Sequence, residues 1–237
     1  MQAFIPILMY HEISSDRVSG FEKYILSPGK FDEQISWLAR SGYVTISLDT
    51  LLRAHRGPGI LPPKPLIITF DDGFRDCIRF APPILKNYNF TAIFYLVSGL
   101  VGLTSSWLIR DRGCELQLAD WPEIVELISA GHKIGAHSMS HPRLAKVWPW
   151  ICRYELSASR KLLEEKLNCT VDHFSYPYGS YNMIVSALAK SVGYASCCSV
   201  RPGLSGLDDD VFALHRVPID GRETIREFVT KVSGQFF

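Results

Sequence analysis

The chain has almost no net charge: 25 Lys and Arg stand against 24 Asp and Glu, a formal +1. A nucleic-acid-binding domain normally carries a clear basic excess, and a disordered chain a large unbalanced charge, so both classes are set aside. There is no C-x-x-C pair among Cys77, Cys114, Cys152, Cys169, Cys197 and Cys198, which excludes zinc-ribbon and thioredoxin-type sites. Neighbours such as Cys197 and Cys198 seldom bridge each other, and buried reduced thiols are expected. Low-complexity stretches are missing too, since the 17 Gly and 14 Pro are spread along the chain. The segment Met1–Tyr10 lacks a basic n-region and a cleavage site, which predicts a cytoplasmic protein unless a leader was removed. Thr91 to Ile109 is uncharged over about the length of a membrane span. Gly99, Gly102, Ser98, Thr104, Ser105 and Ser106 interrupt it, so it reads as a short buried strand and a loop, and no membrane span is expected.

What is present is an ordinary globular composition, 47% hydrophobic and 21% charged over 237 residues, enough for one domain over 1–237 with a core of its own. Short apolar runs predict strands at Phe4–Tyr10, Tyr43–Leu48, Leu66–Phe70, Thr91–Val97, Lys133–Ala136, His173–Tyr176, Tyr194–Val200 and Phe212–Pro218. Several are continuous rather than alternating, the pattern of strands covered on both faces. Helices are predicted between them. Ser27-Pro28 is a start signal, followed by Phe31, Ile35 and Leu38 at helical spacing, with Gly42 as the stop. Asp120 with Glu123 three residues on is a capping pair ahead of Ile124, Leu127 and Ile128. Trp150–Leu167, Tyr181–Val192 and Glu223–Val232 complete the set. Alternating β and α units of this kind imply a parallel sheet, open or closed into a barrel. Ser98–Gly113 reads as the longest irregular segment and a candidate substrate loop.

In α/β barrels the functional groups sit at the carboxyl ends of strands. Here those positions carry His11-Glu12, Asp71-Asp72-Gly73, His137-Ser-Met-Ser-His141-Pro142 and Pro177-Tyr178-Gly179. Two adjacent buried carboxylates repel unless a cation is near. Singly, a capping Asp or a surface His pair explains each feature as well as function does. Together, Asp, His and His at the ends of strands in one sheet make a three-ligand nitrogen and oxygen set that suits a catalytic Zn²⁺ with an open position.

Thr69-Phe70-Asp71-Asp72-Gly73, paired with His137-Ser-Met-Ser-His141-Pro142, resembles the polysaccharide deacetylase family, the NodB-homology domain of carbohydrate esterase family 4. Pro6-Ile-Leu-Met-Tyr10-His11-Glu12-Ile13 and Phe174-Ser175-Tyr176-Pro177-Tyr178-Gly179 add two family-like segments, so the resemblance runs from residue 6 to about residue 220. It implies a distorted (β/α)₇-type barrel of parallel strands in a single domain. The implied activity is metal-dependent removal of an N-linked acetyl group from an N-acetylated sugar, polysaccharide or glycan precursor. By the same resemblance Asp72, His137 and His141 are the ligands of a divalent metal, most simply Zn²⁺. Asp71 is the base that takes a proton from the attacking water, and the backbone N–H of Tyr178 helps bind the oxyanion.

The general acid has two candidates. Many members place it in a Leu-x-His motif near the C-terminus, which Leu214-His215 matches imperfectly. A subgroup that includes deacetylases of poly-N-acetylglucosamine takes it from an N-terminal Tyr-His segment, and Tyr10-His11 fits that better. Ser175 stands where the family often carries an Arg that pairs with the base; Arg216 can supply that role, or can form a structural salt bridge instead. Strand alternation sends His215 and Arg216 to opposite faces. His55, His132 and His173 are read as non-functional, and Trp107, Trp121, Trp148 and Trp150 mainly as core. Two rivals accompany this reading: a same-fold amidohydrolase of a non-sugar amide, and an inactive glycan-binding metal module. A leaderless member points towards a nucleotide- or lipid-linked sugar as substrate.

Overall fold

Pro6 splits the first predicted strand, because it lacks the N–H a ladder needs. The computed structural model describes residues 4–57 and 59–234. The first three and last three residues of the 1–237 assignment, with Pro58, lie outside the described residues. Phe4–Ile5 pairs antiparallel with Ser205–Gly206. The chain then enters a ring of seven parallel strands: β1 (Ile7–Tyr10), β2 (Pro65–Phe70), β3 (Ile93–Leu96), β4 (Lys133–Ala136), β5 (His173–Ser175), β6 (Ser196–Pro202) and β7 (Leu214–Pro218). Each pairs with the next, and β7 returns to β1 through Val217 opposite Leu8 and Pro218 opposite Met9. The ring is therefore a closed (β/α)₇-type barrel. Predicted Tyr43–Leu48 keeps only Val44–Thr45 as strand, paired with the start of β2, and Leu48 opens a helix instead.

Both faces of the strands are buried, as their composition predicts. Ile7, Ile67, Ile93, Tyr95, Cys198 and Leu214 form one apolar cluster, joined by Leu48 and Leu51 of α2 (Leu48–His55). The alternate residues Leu8, Ile68, Phe70, Phe94 and Phe174 belong to a second cluster under the surrounding helices. Those helices are α1 (Pro28–Arg40), α3 (Arg75–Asn87), α4 (Ser106–Arg112), α5 (Trp121–Ser129), α6 (Pro149–Leu167), α7 (Met183–Val192) and α8 (Ile225–Val232). Ser27 caps α1 through Lys30 N, and Asp120 and Glu123 form the capping box of α5.

Three helices go beyond the sequence reading. α2 starts at a Ser47 cap inside what reads as a strand. α3 continues through Pro82 and Pro83. Those prolines leave the carbonyls of Ile78 and Arg79 without helical partners, but Cys77, Ala81 and Leu85 keep one buried stripe at four-residue spacing. α4 lies within the segment read as irregular. Trp148 and Trp150, expected in the core, are each 65% exposed and stack on one another at 5.0 Å. All six cysteines are free, Cys114 and Cys169 only half-buried. No helix among the described residues is long and apolar enough to cross a membrane.

Candidate active site

The carboxyl ends of the strands open into one cavity of about 590 Å³. Its floor holds two aspartates that leave β2 side by side. Asp71 continues the strand, and its N–H donates to Tyr10 O. Asp72 adopts a left-handed conformation (φ 75°) that swings its side chain to other partners. Four of the six non-glycine residues with positive φ among those described, Asp72, Ser138, His141 and Tyr178, belong to this site. Such strain persists where the surroundings over-determine it.

Asp71 faces Arg216 from β7, whose side chain is fully buried. Nη1 and Nη2 of the guanidinium donate to Asp71 Oδ1 and Oδ2 at 2.7 and 2.6 Å. The remaining donors reach Thr69 Oγ1 (3.1 Å), Ser175 Oγ (2.9 Å) and Ser199 O (2.8 Å). All five N–H donors of the group are thus used. Ser175, the residue in place of the family's arginine, also donates from Oγ to Asp71 Oδ2 at 3.2 Å. Burial alone would raise the Asp71 carboxyl, but the Arg216 charge and bonds outweigh it and hold the group below the usual carboxylate range.

Asp72 Oδ1 lies 3.4 Å from His137 Nε2 and 3.2 Å from His141 Nε2. One ligand atom from each of these three buried residues lies within 4.8 Å of the others. His137 Nδ1 sits 2.7 Å from Ser175 O, so this nitrogen is the donor to the carbonyl and Nε2 is the atom turned toward Asp72. Burial lowers the pKa of His141 against the opposing pull of Asp72, favouring the neutral imidazole that can ligate. Two ring nitrogens and one carboxylate oxygen around a shared point, with the carboxylate lacking a permanent cationic partner, fit a divalent metal.

A second layer holds the ligands in place. The turn from His137 to His141 is fastened by Glu155 of α6: Oε2 accepts from Met139 N (2.8 Å) and Ser140 N (3.0 Å), and Oε1 from Ser140 Oγ (2.7 Å). Trp107 stacks on the His141 ring at 4.5 Å, and Tyr178 meets that ring edge-on at 4.5 Å. The Tyr178 hydroxyl donates to Asp111 Oδ2 at 2.6 Å. α4 thus supplies Trp107, Leu108, Asp111 and Arg112 to the cavity wall. Glu155 escaped the sequence reading. Its signal is an acidic residue on the buried stripe Cys152, Leu156, Ser159 and Leu163 of α6.

The two candidate acids part company here. His11, at the end of β1, lines the cavity, packs edge-on against Tyr24 at 4.8 Å, and has a buried Nδ1 with no hydrogen-bond partner. Burial lowers its pKa, opposed by Asp72 and Asp71. His215 is not among the cavity-lining residues; its Nδ1 is 3.2 Å from Asp209 Oδ2, and a third of its side chain is exposed. His173 bonds Ser196 and Asp49, and His132 Nδ1 accepts from Ala92 N; neither lines the cavity.

The polysaccharide deacetylase family model matches residues 59–197, more than half of the chain. A putative polysaccharide deacetylase of Bacillus subtilis (strain 168), YxkH, is 29% identical over 220 residues, covering 92% of this chain and 72% of that protein. A poly-β-1,6-N-acetyl-D-glucosamine N-deacetylase of Escherichia coli (strain K12) is 25% identical over 232 residues, covering 84% of this chain but only 34% of that protein. Among solved structures, the Streptococcus pyogenes deacetylase PplD in complex with acetate superposes with a TM-score of 0.83 at 24% identity, covering 98% of this chain and 99% of that one. IcaB from Ammonifex degensii gives 0.82 at 20% identity, with coverage of 98% and 97%. Family match, shared barrel and the grouping of Asp72 with two histidines agree, and the chain belongs to the polysaccharide deacetylase family as a carbohydrate deacetylase.

Proposed function

We propose that the chain hydrolyses the N-acetyl amide of an acetamido sugar in a glycan, using a divalent metal, most simply Zn²⁺, held by Asp72, His137 and His141. The observation that carries this reading is the separation of two adjacent carboxylates on one cavity floor, Asp71 on an arginine and Asp72 on two histidines. An ion bound at the three ligands supplies Lewis acidity toward the amide carbonyl and lowers the pKa of nearby water. Asp71, kept ionised by Arg216, takes the water proton. The backbone N–H of Tyr178, a residue in a left-handed turn at φ 58° on the cavity wall, is assigned to the oxyanion. His11, at the cavity end of β1, gives a proton to the departing amine. Trp107, Tyr24 and Tyr178 bring aromatic rings to the wall of that cavity. The E. coli relative above and one from Staphylococcus aureus (strain MSSA476), 25% identical over 61% of its length, are both named for poly-β-1,6-N-acetyl-D-glucosamine, which supports N-acetylglucosamine as the acetamido sugar.

The test is acetate release from N-acetylglucosamine oligomers and from a panel of small non-sugar amides, after metal removal and reloading with Zn²⁺. Release from the oligomers that disappears without metal is expected, and elemental analysis of His137→Ala should show most metal lost. Release from the small amides alone, or full metal retention by His137→Ala, overturns the reading.

A further inference from the structure

The cavity wall carries three basic side chains against three acidic ones, Asp71, Asp72 and Asp111. Lys23, Arg112 and Arg143 all line it, and none of them makes an ion pair among the described residues. Instead they rest on aromatic rings. Lys23 Nζ and Arg112 Cζ lie 5.7 and 5.3 Å from the centroid of the one Tyr24 ring, and Arg112 Nη2 donates to the Tyr24 hydroxyl at 3.3 Å. Arg143 Cζ lies 3.9 Å from the Tyr178 centroid.

Two carboxylates that feel these cations, Asp111 and Asp220, have other partners. Asp111, influenced by Arg143, accepts from Tyr178 and from Arg110 Nε. Asp220, influenced by Lys23, accepts two side-chain bonds from Arg222 at 2.8 and 2.6 Å. On the floor, Asp71 is neutralised by Arg216, and Asp72 faces the two histidines. Two like charges kept at one ring repel, and an incoming anion relieves that cost while gaining charge-assisted hydrogen bonds. Tyr24 also touches His11, so the pair of cations stands beside the reacting centre rather than at a remote face.

We infer that Lys23 and Arg112, arrayed on Tyr24 with Arg143 across the cavity, form a subsite for an oxyanion carried by the glycan, a carboxylate or a phosphate ester on the sugar unit next to the acetamido sugar. This rests on the deacetylase reading for the identity of the substrate, but not for the binding of the anion.

The experiment compares acetate release from three N-acetylglucosamine substrates: a neutral oligomer, an oligomer alternating with glucuronate, and a disaccharide 1-phosphate. At low salt at least one anionic arm should exceed the neutral one in kcat/KM by about tenfold, and the advantage should shrink as salt rises. The ratio of the glucuronate to the phosphate arm identifies the oxyanion. The Lys23→Gln/Arg112→Gln protein should lose most of that preference, mainly through KM, while Arg112→Lys keeps part of it. A second arm is independent of turnover: binding of glucose 1-phosphate and of glucuronate, against glucose, is followed by NMR on the Asp71→Asn protein with and without the double substitution. Anion binding that the double variant abolishes upholds the subsite even where no substrate releases acetate, an outcome that would defeat only the deacetylase reading. Equal kcat/KM for neutral and anionic arms, or a preference that survives the double substitution, overturns the subsite.

Discussion

Asp71 and Asp72 are neighbours in sequence, both buried, and both held below the usual carboxylate range, yet their surroundings are opposites. Asp71 meets a permanent cation whose every donor is bonded, so the pair is neutral and complete without a ligand. Asp72 meets two rings that are most useful when uncharged, so its charge waits for a cation. One left-handed residue at the strand end makes the difference. Continuing the strand keeps Asp71 beside β7, and turning at Asp72 aims the next carboxylate at the end of β4. Adjacent acidic residues can thus be given separate tasks by a single backbone torsion, without separating them in sequence.

The sharpest way to break this comparison is to neutralise one carboxylate at a time. Asp71→Asn should lower turnover about 10²–10⁴-fold while elemental analysis finds metal at the wild-type level; joint loss of metal would show that the two tasks are not separate. His11→Ala should cost turnover over a similar range, again about 10²–10⁴-fold, with metal retained. Next in size is Arg216→Met, which leaves Asp71 buried without its partner and should cost about 3–5 kcal/mol in urea unfolding, part of it recovered by adding Asp71→Asn. The sign with pH follows from the depressed Asp71 carboxyl. Its contribution is whole above the unfolded value of about 4 and is lost as pH falls through the folded value, so the double variant should show a flatter acid limb of stability than wild type. On the Asp72 side, Glu155→Gln loosens the turn that carries His137 and His141. Chelator competition should find metal affinity weakened about 10–100-fold, with Asp71–Arg216 stability unchanged. The smallest effect is His215→Ala, a partly exposed change outside the cavity, with turnover within about twofold of wild type; a large loss would move the acid to the C-terminal strand.

Local signals were readable and long-range ones were not. The strand Lys133–Ala136 has the bounds its composition predicts, and the Ser27 and Asp120 caps sit where their side chains can reach backbone N–H groups. α3 was hidden because Pro82-Pro83 reads as a break, whereas burial of Cys77, Ala81 and Leu85 outweighs two lost hydrogen bonds. α4 was hidden because it is only seven residues long and starts inside an apolar run that ends at Ile109. Period-two alternation was enough to put His215 and Arg216 on opposite faces, and the structure buries Arg216 and leaves a third of the His215 side chain exposed. Arg216 as the partner of Asp71 was one of the two roles its position offered; that it would also gather Thr69, Ser175 and Ser199 was beyond reach, since those partners come from three other strands. Glu155 was equally illegible, because its acceptors face a turn fifteen and sixteen residues upstream.

The seam between β7 and β1 also has a consequence in time. Leu8 pairs with Val217, so the barrel's last seam joins the two ends of the chain. During synthesis the first strand emerges long before the last. It can zip onto β2 early, through Ile7 opposite Ile67 to Tyr10 opposite Phe70, but its other edge stays open until β7 leaves the ribosome. An open apolar edge of this kind is a template for wrong pairing, and closure over so long a separation is slow. The nascent chain is therefore most vulnerable to misassembly in the interval between completing β2 and releasing β7.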